Sequence, residues 1–146
     1  MRIFVPVTVD DAPVLRSGTT RLPLAADRIV WGVGDEARTD RPDVDLEELE
    51  YDALQDAVFS ALQDVAPTER AVVLAGDLPD GALAGAGDEA GAFGLRLTSE
   101  ETLRIVSAHA TELDAAGAEA DDTDPALLWF DAVELGAALD YASTAR

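Results

Sequence analysis

Residues 45–65 read DLEELEYDALQDAVFSALQDV and predict the main helix of the chain. Apolar side chains recur there at helical spacing and share one broad face. Asp45 stands where an N-cap residue accepts hydrogen bonds from the first turn, and Glu48 completes a capping box. Pro67 ends the helix, because the residue before a proline is disfavoured in the α conformation. The apolar face is predicted to hold Leu46, Leu49, Ala53, Leu54, Ala57, Val58, Ala61, Leu62 and Val65.

One aromatic side chain of this helix falls on the face that is predicted to be wet. Phe59 lies among polar residues there, and Tyr51 lies at the margin of the apolar face. Two interpretations of Phe59 stay open: a loop or terminal segment covers it, or it belongs to a surface that binds a partner. The polar face is predicted to hold Glu48, Asp52, Gln55, Asp56 and Gln63.

The composition is that of one folded, acidic domain. The chain has 146 residues, 48% of them hydrophobic, which is enough for one domain over residues 1–146 with a core of its own. Thirty Asp and Glu residues face ten arginines, for a formal charge of −20. Direct binding to nucleic acid is disfavoured, because contacts to phosphates need clustered cations. The acidic surface either keeps the protein soluble or meets a basic protein partner.

The absence of cysteine and of long apolar segments from the sequence excludes several kinds of site. Without cysteine there are no disulfides, thiolate nucleophiles or cysteine-bound metals. The chain shows no signal peptide and no apolar run long enough to cross a bilayer, so we expect a cytoplasmic protein without membrane contact. Repulsion between acidic copies opposes self-association, so we expect a monomer or a weak dimer.

Apolar runs predict the strands. Residues 2–9 alternate, with Ile3 and Val5 on one face. Pro6 cannot donate a ladder hydrogen bond, which predicts that this strand is at a sheet edge or bulged. Residues 71–75 form a continuous apolar run, which is typical of a strand covered on both faces. Further strands are predicted at 28–33, 92–97 and 127–133.

A second long helix is predicted at residues 98–116. Thr98 and Glu101 have the spacing of a capping box, and Gly117 follows as a helix stop. The apolar side chains of this segment recur at helical spacing. Its buried face is predicted to hold Leu103, Val106, Ala110 and Leu113.

The remaining segments are predicted to be short helices or loops. Asp10 or Asp11 caps a helical turn that Gly18 closes, and residues 134–141 form a terminal helix. Residues 34–44 are polar and residues 81–91 are rich in glycine, so both predict loops.

The order of these elements predicts an α+β fold, a ferredoxin-like split βαβ sandwich. Helices 45–65 and 98–116 would pack on one face of an antiparallel sheet. The strand at 28–33 and the terminal helix would be additions to that arrangement.

The single histidine, His109, falls on the apolar side of the predicted second helix. Two interpretations are a core histidine with one hydrogen bond and a general base. The sequence places no serine, threonine or carboxylate beside it, so no catalytic triad is predicted.

Two groups of carboxylates are candidate metal or catalytic ligands. Asp77 and Asp80 follow a buried strand, where α/β proteins often place functional groups, although their spacing also suits a turn. Together with Asp131 they define a hypothetical small enzyme that uses carboxylates, with or without Mg²⁺. A second acidic run at 119–124 either binds Ca²⁺ or Mg²⁺ or is a solvated linker. Neither group matches a known motif, so we predict no catalytic residue, cofactor or metal.

A non-catalytic interaction or regulatory module is the preferred interpretation. Aromatic side chains supply large, rigid contact area at interfaces. The chain has eight aromatic residues, and five of them are hypothesised to form a partner surface. These five are Tyr51, Phe59, Trp129, Phe130 and Tyr141.

Three short motifs resemble those of a family of small uncharacterised actinobacterial proteins. They are EELEY at 47–51, the opening RIFVP at 2–6 and LLWFD at 127–131. The resemblance implies one intracellular domain and supplies no catalytic residue. It also implies a helical segment at 34–41, where the residues themselves predict a loop.

Overall fold

Eight strands form one antiparallel sheet in the structure, a computed structural model that describes residues 1–87 and 90–143. The strands are β1 (Arg2–Pro6), β2 (Arg21–Leu24), β3 (Ile29–Gly32), β4 (Val72–Asp77), β5 (Leu83–Gly85), β6 (Gly94–Leu97), β7 (Glu101–Thr111) and β8 (Leu127–Asp131). The helices are α1 (Asp11–Arg16), α2 (Asp35–Asp40), α3 (Leu46–Asp64), α4 (Ala115–Ala120) and α5 (Leu135–Ser143). Short 3₁₀ turns lie at Asp80–Ala82 and Ala132–Glu134.

The strand order is β2-β7-β4-β1-β3-β6-β5, and β8 pairs with β7. Strand β4 occupies one edge of β7, so β2 and β8 lie one after the other along its second edge. Helix α3 packs over β1, β3 and β4, while α1 and α5 cover the opposite face. We call these faces the α3 side and the α5 side.

Side-chain alternation along the central strands builds a core on each face. Ile3 and Val5 enter the core on the α5 side, whereas Phe4 enters the core on the α3 side. This confirms the alternation predicted for the first strand. Strand β4 is buried along most of its length, as its continuous apolar run predicts.

The prediction that the first strand lies at an edge is wrong. Strand β1 pairs with both β3 and β4 and is therefore central. Pro6 is its last residue, so the missing N–H does not interrupt the ladder. Beyond it the Val7 N–H still donates to the Val72 carbonyl at 2.9 Å, but Val9 is exposed.

Helix α3 confirms the predicted main helix to within one residue at each end. Asp45 has the extended backbone of an N-cap, but within the described residues its side chain makes no capping hydrogen bond, so the predicted capping box is wrong. Leu46, which was predicted to be buried, is exposed, and Gln55, which was predicted to be exposed, is buried. Of the helices described, none is both long and apolar enough to span a membrane.

The predicted helix at 98–116 is wrong, because most of that segment is β7. Thr98 precedes the strand, and Leu103 and Ile105 alternate with exposed residues along it. A β-bulge follows: Ile105 pairs with Gly76, and Ser107 pairs with the preceding residue of β4, which leaves Val106 as the extra residue. The bulge shifts the alternation by one position. Ile105 and Ala108, which both belong to the core on the α5 side, are therefore three residues apart. Val106 and Leu113, which were predicted to be buried, are 38% and 42% exposed.

The structure is a mixed fold with an antiparallel sheet and few helices, and the ferredoxin-like topology is not confirmed. That topology needs a second helix where β7 stands. The segments predicted as loops also contain regular structure: α2 lies at 34–44, as the resemblance implies, and β5 lies at 81–91. Residues 88 and 89 of the second segment are outside the described residues. Strand β2 was not predicted.

Candidate interaction surface

The three carboxylates of the hypothetical enzyme are held apart. Asp77 pairs with the Arg2 guanidinium at 2.9 Å, and Asp80 pairs with the Met1 amino group at 3.2 Å. Asp131 accepts a hydrogen bond from the Glu134 N–H in a capping box of the 3₁₀ turn. Strand β7 lies between Asp77 and Asp131, and the two residues are also offset by two positions along the strands, which puts their backbones roughly 12 Å apart. Over residues 1–87 and 90–143, no group of three or more His, Asp or Glu side chains is arranged to hold a metal ion.

The acidic run after α4 forms a local turn. The Asp121 carboxylate accepts hydrogen bonds from the Thr123 N–H at 2.9 Å and from the Thr123 hydroxyl at 2.7 Å. These bonds, the backbone one first, lower the pKa of Asp121 below its ordinary value. The geometry is that of an exposed Asx turn.

A contact between Ser107 and His109 is present that the sequence did not reveal. The Ser107 Oγ and His109 Nε2 atoms are 3.2 Å apart on β7. Burial, followed by the positive charge of Arg2, lowers the pKa of His109, so its ring is neutral at neutral pH. In the predicted helix these residues would be separated by about 200° around the axis. In a strand, residues two apart share a face.

This pair does not extend to a catalytic triad. Asp131 lies opposite Ser107 on β8, but its carboxylate is engaged at the Glu134 N–H. Ser107 is only 4% exposed, so a substrate cannot reach its hydroxyl without rearrangement. Of the two interpretations of His109, the hydrogen-bonded structural histidine fits this geometry, although it sits on a strand.

Gln55 is the buried polar residue of α3 that the sequence placed in water. It is 6% exposed, and its Nε2 donates to the Tyr51 hydroxyl at 3.2 Å. Its Oε1 has no hydrogen-bond partner within the part of the chain that the structure describes. Gln55 lies about 60° around the helix axis from Asp52, which pairs with Arg41 at 2.9 Å. Gln55 is therefore a margin residue of the buried face of α3.

Replacing Gln55 with leucine should stabilise the protein. The leucine removes a buried acceptor without a partner, whose desolvation costs about 1–3 kcal/mol, and it leaves the exposed Tyr51 hydroxyl to water. We expect the free energy of unfolding to rise by roughly 1 kcal/mol in urea titrations. The matched substitution Gln63→Leu, at an exposed position of the same helix, should change it little. A Gln55→Leu protein less stable than wild type would show that Oε1 is satisfied in solution.

Phe59 lines a hollow between the C-terminal part of α3 and α4. The hollow has a volume of about 550 Å³; its apolar floor includes Phe59, Leu62 and Pro67, and its α4 wall is mainly alanine. Glu119 and Asp121 add acidic groups to the lining. Phe59 remains 48% exposed.

Local backbone contacts explain why this hollow stays open. The N–H groups of Ala115 and Ala116 donate to the carbonyls of Glu69 and Pro67, at 2.9 and 3.0 Å, and fix α4 beside the end of α3. Asp114 caps α4 by accepting from the Gly117 N–H at 2.8 Å. The alanine side chains of α4 that line the hollow are too short to fill the space above Phe59. The terminal helix α5 lies on the other side of the sheet and does not cover Phe59.

The five aromatic residues of the hypothesised surface are divided between the two sides of the sheet. Tyr51 and Phe59 are about half-exposed on α3. Trp129 is 60% exposed and pairs with His109, which pairs with Val73 of the α3-side core, so it is also on the α3 side. Phe130 and Tyr141 pack together on the α5 side, with their ring centroids 6.1 Å apart.

Comparison with known proteins identifies one related family. A family model matches residues 1–139, and its description is "Family of unknown function (DUF6912)". No curated protein and no solved structure matches the chain. The comparison therefore assigns no role to any residue described above.

Proposed function

The chain belongs to this family of unknown function, and we propose that it is a non-catalytic interaction module that binds a basic protein partner. The observation that carries the proposal is the half-exposed Phe59 ring in an apolar hollow whose lining includes acidic residues. The partner would insert an apolar side chain against Phe59 and place basic residues beside Glu119 and Asp121.

The energetics of Phe59 support a binding role. Covering an exposed aromatic ring of this size contributes roughly 1.5–3 kcal/mol. About half of the Phe59 side chain stays exposed because α4 approaches the ring without covering it. About half of this free energy is therefore available for binding a partner. Aromatic residues in such depressions are frequent hot spots of protein interfaces.

Charge supports a basic partner. The formal charge is −20, and four of the ten arginines, Arg2, Arg16, Arg28 and Arg41, are already paired with carboxylates of the chain. An acidic surface attracts a basic partner over about 8–10 Å at physiological salt. The same field opposes self-association. The alternative, an enzyme that uses Asp77, Asp80 and Asp131, has less support, because each of these carboxylates binds a different partner within the chain.

Replacing Phe59 with serine is expected to weaken partner binding strongly while leaving the fold intact. A hot-spot aromatic contributes about 2 kcal/mol or more to binding, so the affinity should fall roughly 30-fold or more. The partner would be captured by affinity purification from the native organism and its dissociation constant measured by titration of the purified components. Thermal unfolding of the variant should match wild type within a few degrees.

Val9→Ser is the control for this experiment. Val9 is 87% exposed and lies outside the hollow, so its loss should affect neither stability nor binding. A Phe59→Ser protein that binds normally but melts well below wild type would identify Phe59 as a folding residue. The proposed binding role would then be abandoned.

A further inference from the structure

The outer edge of β8 has unpaired backbone groups. The Glu112 N–H donates to the Ala126 carbonyl at 3.0 Å, which makes these two residues a hydrogen-bonded pair at the start of the β7–β8 ladder. In an antiparallel ladder such pairs alternate with pairs whose backbone groups point away. The N–H and C=O groups of Leu128 therefore point to β7, whereas those of Leu127 and Trp129 point outward.

A second hydrogen bond supports this assignment. Asp131 is the next residue in the outward series, and its N–H donates to the Glu134 side chain at 3.0 Å instead of to β7. Among the residues that the structure describes, no backbone or side-chain group forms a hydrogen bond with the outward groups of Leu127 and Trp129.

The other two edge strands of the described sheet are protected against pairing. Strand β5 has three residues. In β2, the Ile105 N–H donates to the Thr20 carbonyl, and the same alternation places Pro23 at an outward position, where it has no N–H to offer. Short strands and outward prolines are how natural sheets prevent unwanted pairing. Strand β8 has neither device, and its sequence LLWFD has a single charge, at its end.

The charges around the outer edge of β8 favour a basic binding partner. Residues 105–143 hold nine Asp and Glu side chains and no Arg or Lys. Asp122 and Asp124 precede β8, while Asp131 and Glu134 follow its apolar part. A second copy of the edge would bring like charges together, whereas a basic strand would be attracted. An arginine beside the exposed Trp129 ring would also gain a cation–π contact.

We propose that the outer edge of β8 binds an extended basic segment of a partner protein as an added strand. This inference rests on the proposed function and names its binding mode: β-augmentation, in which main-chain hydrogen bonds provide affinity and alternate side chains provide specificity. The groups that bind the segment are the outward N–H and C=O groups of Leu127 and Trp129. The chain between Asp121 and Leu127 connects this edge to the Phe59 hollow, so one partner can contact both.

The test uses a synthetic octapeptide of alternating arginine and valine, Arg–Val, as the probe. Its control, Arg–Pro, has equal charge and consists of two Arg-Arg-Pro-Pro repeats. Arg–Val should bind the full-length protein more tightly than Arg–Pro, because whichever set of alternate residues of Arg–Pro faces β8 lacks half of its N–H donors. Hydrogen exchange of the Leu127 and Trp129 amides should slow on binding. Equal binding of the two peptides, or no binding of Arg–Val at low salt, overturns the proposal.

Two variants isolate the backbone contribution. Trp129→Pro removes the ring and the outward N–H, while Trp129→Val removes the ring alone. We expect Arg–Val to bind Trp129→Pro roughly fivefold more weakly than Trp129→Val, the effect of one lost hydrogen bond. Equal affinities overturn the proposal. If Trp129→Pro does not fold, the exchange measurement on the wild-type protein still decides.

Two further outcomes separate this proposal from the one on Phe59. Phe59→Ser should leave binding of the Arg–Val peptide unchanged. If Phe59→Ser abolishes binding of the natural partner while neither Trp129 variant affects it, the hollow is the binding site and the strand proposal is wrong. If sedimentation shows a wild-type dimer that Trp129→Pro dissociates, the edge pairs with a second copy, and the basic partner is wrong.

Discussion

Replacing Gly76 with alanine is expected to lower the free energy of unfolding by about 3 kcal/mol or more. Gly76 lies in β4 at the bulge of β7, where the neighbouring strand comes unusually close. An added Cβ would lie 2.5 Å from the Arg104 carbonyl oxygen and 2.6 Å from Leu103 Cδ1. Leu103 is fully buried, so relief would require movement of the backbone of β7. Overpacking of a core costs about 1–3 kcal/mol, and more when the backbone must shift.

Thermal and urea unfolding would measure this effect. A loss of this size corresponds to a fall in melting temperature of roughly 6–12 °C for a chain of this length. Gly81→Ala is the matched control, because nothing lies within 4 Å of its added Cβ and its φ angle is not positive. We expect that change to stay within about 1 kcal/mol of wild type. Similar melting of the two variants would show that the bulge relaxes around the methyl group.

Removing the Asp11 carboxylate is the other change with a large expected effect. Asp11 is buried and accepts from both terminal nitrogens of Arg28, at 2.7 and 3.0 Å. It also accepts from the Thr8 N–H at 2.9 Å, and Arg28 donates to the Pro6 carbonyl at 3.0 Å. These bonds join the end of β1 to the start of α1 and to the residue before β3. Asp11 was predicted as one of two caps of α1, and the structure shows this longer-range role.

Asp11→Ala should cost about 3 kcal/mol, because it leaves the largely buried charge of Arg28 without a carboxylate to neutralise it. Asp10→Ala is the control, since the neighbouring Asp10 is exposed and makes no side-chain cap bond among the described residues. A double variant with Arg28→Met should recover part of the loss, because it removes the uncompensated charge. If Asp11→Ala and Asp10→Ala unfold at the same urea concentration, the ion pair does not contribute to stability.

The same ion pair predicts a difference in acid stability. Burial would raise the pKa of Asp11, but hydrogen bonds from Arg28 and Thr8 and the charge of Arg28 outweigh it, so the pKa lies below its ordinary value of 3.8. A carboxylate with a lowered folded pKa stabilises the protein above its unfolded pKa. That contribution is lost as the pH falls through the folded pKa. The difference in the free energy of unfolding between wild type and Asp11→Asn should therefore become smaller below pH ~4. A difference that stays constant with pH would contradict this prediction.

The sequence predicted those elements whose pattern arises within the segment itself. Helix α3 could be predicted because its apolar residues recur about every 3.6 residues and because Pro67 stops the helix. Strand β4 was found because a short apolar run can be buried on both faces. Acidity and the absence of cysteine follow from composition alone. For Phe59, periodicity correctly placed the ring outside the apolar face of α3.

The errors arise where neighbouring strands determine the conformation. The bulge at Val106 exists because of the register with β4, and it changes the spacing of the α5-side core residues in β7 from two to three. The predicted helix counted Val106 and Leu113 as buried because they are apolar and at helical spacing, but the structure leaves both exposed. The burial of Gln55 has a similar cause, because the packing of α3 on β1, β3 and β4 covers a wider face of the helix than its apolar residues predict.

The candidate surfaces divide in the same way. The sequence by itself determined a strongly acidic protein, an amphipathic main helix and an apolar LLWF segment near the C-terminal end. Only the tertiary structure decided that α4 stops short of Phe59 and that β8 is an edge strand with outward groups at Leu127 and Trp129. The physical reason is that composition and periodicity act within a segment. Whether a side chain is covered, or a backbone group is paired, depends on which distant segment lies beside it.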